Sequence, residues 1–172
     1  MNERFQLRLG HALAEKIREH GEATYPDECC GALLGHDAEI AHAGSAAQAT
    51  PRRVISLLPL SNRNGDSPRN RFSVTAEDVR AAEAAAREQN LEVIGWYHSH
   101  PDHPAKPSEF DRQHAWPWYS YIIVSVQSGF ACEMTSWRLN DDREEYAPEG
   151  IEVHQLDAED VREAGAGELR RL

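Results

Sequence analysis

Residues 93–111 read VIGWYHSHPDHPAKPSEFD, and the rest of the chain is best understood outward from them. Val93-Ile94-Gly95-Trp96-Tyr97 has the length and composition of a buried strand. Side chains alternate across a strand, so its continuation sends His98 and His100 to one face and Ser99 to the other. Two imidazoles then converge on one point, which is the outline of a catalytic zinc site. Such a zinc keeps three protein ligands and one open position, so a third ligand must come from elsewhere. Ser108-Glu109-Phe110-Asp111, following Pro107, reads as a helix start with Ser108 as N-cap and Asp111 one turn in. A helix starting just after a short loop can return Asp111 to the strand end, and Asp111 is the favoured third ligand. His103 competes with it through a His-x-His-x-x-His set. The Ser-x-x-acid spacing is also that of an ordinary capping box, common in helices that hold no metal.

Outward from this stretch, Leu9, Leu13 and Ile17 recur every four residues and predict an amphipathic helix over residues 9–22. Gly31 to Gly35 and Glu39 to Ala43 read as two strands joined by a turn at His36-Asp37, with a third strand at Val54 to Pro59. Residues 61–71 are rich in turn formers and predict a loop, in which Arg69 and Arg71 are candidate contacts for an extended peptide. Thr75-Ala76-Glu77-Asp78 caps a helix that carries the Ala81 to Ala86 run and ends near Asn90. Strands at Tyr119 to Val126 and Met134 to Arg138 follow, with a turn at Asn140-Asp141-Asp142. The order predicts one α/β domain over residues 1–156 with a mixed sheet between helices, and a polar acidic tail over residues 157–172.

Composition narrows the classes of partner. A formal net charge of −11 over 172 residues argues against nucleic acid, whose phosphates call for a basic surface. No apolar run has the length of a membrane span, and the first residues lack a signal-peptide layout, so a soluble cytoplasmic protein is expected. Three cysteines, Cys29, Cys30 and Cys132, are too few and too oddly placed for a disulfide framework. Cys29 and Cys30 read as small apolar strand residues rather than nucleophiles. Trp96, Trp116, Trp118, Tyr119 and Tyr121 read as core and rim aromatics, with Trp116 and Trp118 flanking Pro117 near a cleft.

His98-x-His100, seven residues, Ser108, two residues and Asp111 match without a gap the signature of the JAMM metalloproteases, the Mov34/MPN/PAD-1 or MPN+ family. Glu28-Cys29-Cys30-Gly31-Ala32-Leu33-Leu34-Gly35 is similar to that family's Glu-x-x-Gly-x-Leu-x-Gly segment. The resemblance runs from about Leu9 to Val153. It is nearest to the small free-standing bacterial members, in which the strings at residues 100–105 and 115–121 are familiar. It implies a three-layer α/β/α domain of the JAB/MPN, cytidine-deaminase-like type. It also implies one zinc per chain on His98, His100 and Asp111, with Glu28 as general base and Ser108 as donor to the developing oxyanion.

The substrate implied is a ubiquitin-like or ThiS/MoaD-like sulfur-carrier protein, cut after its C-terminal Gly-Gly. Such a tail binds as an extended strand through main-chain hydrogen bonds. Two other readings stand beside this one: a non-catalytic MPN scaffold, and a zinc hydrolase of small amides. The His-x-Glu and Pro-Cys-x-x-Cys motifs of zinc deaminases are absent.

Overall fold

The strand expected at residues 93–97 extends through both histidines, as β4 (Glu92–Pro101), and lies at the centre of the sheet. In the computed structural model, which describes residues 6–37, 51–62 and 73–155, it is preceded by β1 (Gln6–Gly10), α1 (His11–Thr24), β2 (Cys30–His36), β3 (Arg52–Leu60) and α2 (Ala76–Glu88). After it come α3 (Glu109–His114), β5 (Ser120–Gln127), β6 (Phe130–Leu139) and β7 (Tyr146–His154). The strands are ordered β1-β3-β2-β4-β5-β6-β7, and a parallel β1–β7 ladder closes the sheet on itself. The β4–β5 and β1–β3 pairs are also parallel and the remaining pairs antiparallel, so the sheet is mixed as expected.

Alternation along the strands divides the core in two. Leu33, Tyr97, Ile122, Val124 and Val126 face α1, packing with Leu7, Leu9, Ala14 and Ile17. Ala32, Leu34, Trp96 and Tyr121 face the other way, packing with Ala82 and Ala86 of α2. The sheet therefore lies between helices, α1 on its enclosed face and α2 on the outer one. On α1 the buried residues Ala14, Ile17 and Gly21 recur at three- and four-residue spacing. A Cβ at Gly21 would come within 3.0 Å of Val126, so its missing side chain sets how closely α1 approaches β5. Gly31 has the same role opposite the Tyr97 ring, which occupies the space of a side chain there.

Helix α2 starts as expected. Thr75 accepts from the Asp78 N–H, and Asp78 accepts from the Thr75 N–H at 2.9 Å. Other boundaries differ from the sequence reading. Leu9 belongs to β1, and α1 starts at His11, because Leu7 and Leu9 alternate inward on a strand before the helical period begins. His36 ends β2 instead of opening a turn. Strands β1 and β7 were not anticipated at all. The strand expected at Glu39 to Ala43, the loop contacts Arg69 and Arg71, and the tail at 157–172 lie outside the described residues. No helix among the described residues is long and apolar enough to cross a membrane.

Candidate metal centre

The end of β4 brings the candidate residues together. Trp96, His98 and His100 alternate onto the outer face, while Ser99 turns inward and its Oγ accepts from the Cys29 N–H at 2.8 Å. Its own N–H donates to the Cys29 carbonyl at 3.2 Å. Cys30 pairs with His98 across the β2–β4 ladder, so extending this antiparallel register past Cys29 sets Glu28 opposite His100 on the outer face. Asp111 arrives on α3, which starts with the anticipated cap. Ser108 Oγ accepts from the Asp111 N–H at 3.1 Å, and Asp111 Oδ2 accepts from the Ser108 N–H at 2.6 Å. The capping and ligand readings of this spacing are therefore compatible: one carboxylate closes the cap and faces the histidines.

The three donor sets are mutually close. His98 Nε2 lies 3.0 Å from His100 Nε2 and 3.3 Å from Asp111 Oδ1, and His100 Nε2 lies 3.4 Å from Asp111 Oδ2. A tetrahedral zinc with bonds of about 2.0–2.1 Å separates neighbouring donors by about 3.3–3.4 Å, and the two imidazoles, each facing a different oxygen of the Asp111 carboxylate, stand near that spacing, so these residues suit such an ion. All three residues are buried, and they form the one such cluster of His, Cys, Asp or Glu found among the described residues. His100 is also in the tautomer that a metal needs. Its Nδ1 is 2.8 Å from the Pro104 carbonyl, which can only accept, so Nδ1 carries the proton and Nε2 presents its lone pair.

The electrostatics favour a neutral His98 beside a charged Asp111. Burial lowers the His98 pKa against the opposing pull of Asp111, which keeps this ring deprotonated and able to ligate. Burial works to raise Asp111, but the two histidines and the Ser108 N–H outweigh it and hold the carboxyl below its ordinary range. Glu28 behaves differently. It is 4% exposed, its Oε2 has no hydrogen-bond partner, and burial followed by the Asp111 charge pushes its pKa from 4.5 up to about 9. Ser108 is exposed at the α3 terminus, and accepting the cap bond leaves its O–H to donate elsewhere.

Other sequence candidates are placed elsewhere. His103 is exposed and lies outside the cluster; its carbonyl accepts from Ser125 Oγ at 2.7 Å. His114 stacks on Phe110 at 4.0 Å and donates through Nδ1 to the Phe110 carbonyl. Cys29 and Cys30 are free and buried, and burial lifts their thiols to about 11 and about 12, well away from nucleophilic thiolates. A cleft of about 940 Å³ opens beside His98 and Asp111, walled by Trp96, Trp116, Trp118 and Tyr119, with Trp116 and Trp118 among the largest exposed apolar side chains. The sequence reading placed these aromatics at a rim but missed the buried Arg52 behind them. The adjacent Arg53 looks the same in sequence, and only the inward phase of β3 distinguishes the two.

The model of prokaryotic homologs of the JAB domain matches residues 11–140, a span that includes Glu28, both histidines, Ser108 and Asp111. A desampylase from Haloferax volcanii is 31% identical over 118 residues, covering 68% of this chain and 72% of that protein. The Lys-63-specific deubiquitinase BRCC36 of Rattus norvegicus is 28% identical over 111 residues, covering 54% of this chain and 38% of its own length. A solution structure of a protein from Salinibacter ruber superposes with a TM-score of 0.63 at 40% identity, covering 90% of this chain and 94% of the other. The matched span and the similarity to the desampylase make the chain a member of the family of prokaryotic JAB-domain homologs, within JAMM/MPN.

Proposed function

We propose that this protein is a zinc-dependent peptidase of the isopeptidase type. It hydrolyses the amide bond after the C-terminal Gly-Gly of a ubiquitin-like or ThiS/MoaD-like sulfur-carrier protein, in the cytoplasm, with one zinc per chain. The observation that carries this reading is the cluster of three buried residues, His98, His100 and Asp111, whose facing donor atoms lie 3.0–3.4 Å apart, beside a buried carboxyl with an unpartnered oxygen. Similarity to a desampylase and to a Lys-63-specific deubiquitinase supports a protein conjugate as the substrate.

Zinc held by His98, His100 and Asp111 would supply Lewis acidity, acidifying a water molecule and polarising the scissile carbonyl. Glu28 takes up the proton of the attacking water and returns it to the leaving amine. Its place opposite His100, beside the residues that would hold the metal, suits both transfers. The free O–H of Ser108 donates to the oxygen on which negative charge develops, a contribution of about 3–4 kcal/mol in comparable sites. The cleft beside His98 takes the extended tail.

Intact-mass analysis of a carrier extended beyond its Gly-Gly tests the proposal. Wild-type protein loaded with zinc is expected to release the extension after the second glycine, and Glu28→Gln is not. No cleavage of ThiS-like, MoaD-like or ubiquitin-like carriers by the zinc-loaded wild type would contradict it.

A further inference from the structure

Behind the aromatic wall of the cleft lies a fully buried guanidinium that the proposed chemistry does not use. Arg52, the first residue of β3, is 1% exposed. Its Nε donates to Asp37 Oδ1 at 2.9 Å, and Nη2 lies 2.8 Å from the same oxygen as an ion pair. Its Nη1 lies within hydrogen-bond distance of the Ile94 carbonyl (3.0 Å), the Trp118 carbonyl (2.8 Å) and Ser120 Oγ (3.0 Å). Ser120 in turn donates to Glu149 Oε1 at 3.1 Å. Ser136 and Arg138 reach the same carboxylate at 2.6 and 3.4 Å. A chain of polar groups thus runs from the half-exposed Asp37 after β2 through the buried Arg52 and Ser120 of β3 and β5 to β6 and β7.

Such a network is costly to bury and needs every member satisfied. What it holds is the segment between α3 and β5. Trp118 there has φ of 83°, a left-handed backbone that a bulky side chain adopts at a cost of about 1–3 kcal/mol. Arg52 offsets that strain twice: it binds the Trp118 carbonyl, and its guanidinium lies 4.5 Å from the centre of the Trp118 ring. From Trp118 the aromatic contacts continue to Tyr119 at 5.2 Å and from Tyr119 to Trp96 at 6.0 Å. Trp96 lies two residues before His98 on the same face.

We infer that Arg52 is a positioning residue for the substrate cleft, holding Trp118 and Tyr119 in the conformation that forms its wall. It acts through them and touches no reacting atom. The effect therefore falls on binding of the carrier's tail and leaves the metal centre alone. Lysine cannot replace it, since one ammonium cannot reach Asp37, Ile94 and Trp118 in the planar fork of a guanidinium.

This inference rests on reading the cleft as the binding site for a Gly-Gly tail, so its test has one arm that does not depend on activity. Wild type, Arg52→Lys and the milder Asp37→Asn are labelled with 5-fluorotryptophan, and the Trp118 resonance is assigned by Trp118→Phe. In Arg52→Lys the Trp118 resonance is expected to shift and to become more sensitive to D2O, while the resonance of Trp137, outside the cleft, stays in place. In steady-state cleavage of a Gly-Gly-extended carrier, KM is expected to rise about tenfold, near the value of one charge-assisted hydrogen bond, with kcat within about threefold and zinc content unchanged. Asp37→Asn is expected to move both readouts the same way by less, and it serves alone if Arg52→Lys does not fold. An unmoved Trp118 resonance in the folded variant overturns the inference, as does a loss confined to kcat. If wild type cleaves no carrier, the functional reading has failed, and the fluorine spectra still decide the role of Arg52.

Discussion

The buried carboxyl groups of Glu28 and Asp111 lie near enough to interact and are driven in opposite directions. Asp111 is held below its ordinary range by the histidines and the Ser108 N–H, and Glu28 is raised to about 9 by burial and by Asp111 itself. A group with a raised pKa stabilises the fold fully below its ordinary value and loses that contribution as pH climbs through the folded value. Metal-free protein is therefore expected to lose stability as pH rises from about 5 towards 9 through Glu28, and Glu28→Gln is expected to flatten that slope. Asp111 has the opposite sign, and its contribution fades as pH falls through the carboxylate range. Thermal melts of chelated wild type and Glu28→Gln at pH 5 and pH 8 check this: the variant gains in Tm at pH 8 relative to pH 5, and equal gains at both would contradict it. The cysteines supply a second prediction. With thiols at about 11 and about 12, alkylating agents are expected to leave turnover intact under native conditions, whereas a chelator abolishes it. Inhibition by alkylation in proportion to modified Cys29 or Cys30 would count against the proposed chemistry. The proposed ligands were legible in the sequence because spacing along one strand and one helix turn carried the geometry. Arg52 and Glu149 were not, because their partners come from strands far apart in sequence.

At the scale of elements, the two capping boxes are built alike but are expected to respond differently. Thr75→Ala removes the acceptor for the Asp78 N–H and should cost about 1 kcal/mol of stability with little effect on turnover, read by denaturant unfolding and by kcat. Ser108→Ala should cost a similar amount through α3 and in addition lower kcat by about 10²–10³-fold, the loss of one oxyanion donor. Equal kcat in the two variants would reduce Ser108 to a cap. Helix α2 was plain in the sequence, since its alanine run and its cap agree with each other. Strands β1 and β7 were not. Five residues of β1 lead directly into α1, and Leu9 falls by coincidence in phase with Leu13 and Ile17. In β7, Pro148 and Gly150 flank the one buried residue, Glu149, so neither β-propensity nor apolar alternation marks it.

Those two unread strands matter most for the whole molecule, because their parallel ladder closes the sheet on itself. Leu7 and Leu9 bury fully in the α1-facing core. Leu9→Ala is expected to cost about 2–5 kcal/mol while the folded fraction keeps its metal, since β1 lies across the sheet from β4. Urea unfolding followed by metal analysis of the folded protein checks both parts. The core around α1 supports the fold on one side of the sheet and the polar centre occupies the other, so the proposed chemistry depends on Glu28 just before β2 and on a few residues at the end of β4 and the start of α3. Native mass spectrometry of zinc-loaded wild type, Glu28→Gln and Asp111→Ala tests this division most directly. The expected result is one zinc on wild type, one on Glu28→Gln and none on Asp111→Ala. Zinc retained without Asp111, or lost with the Glu28 carboxylate, would contradict the assignment of ligands and base.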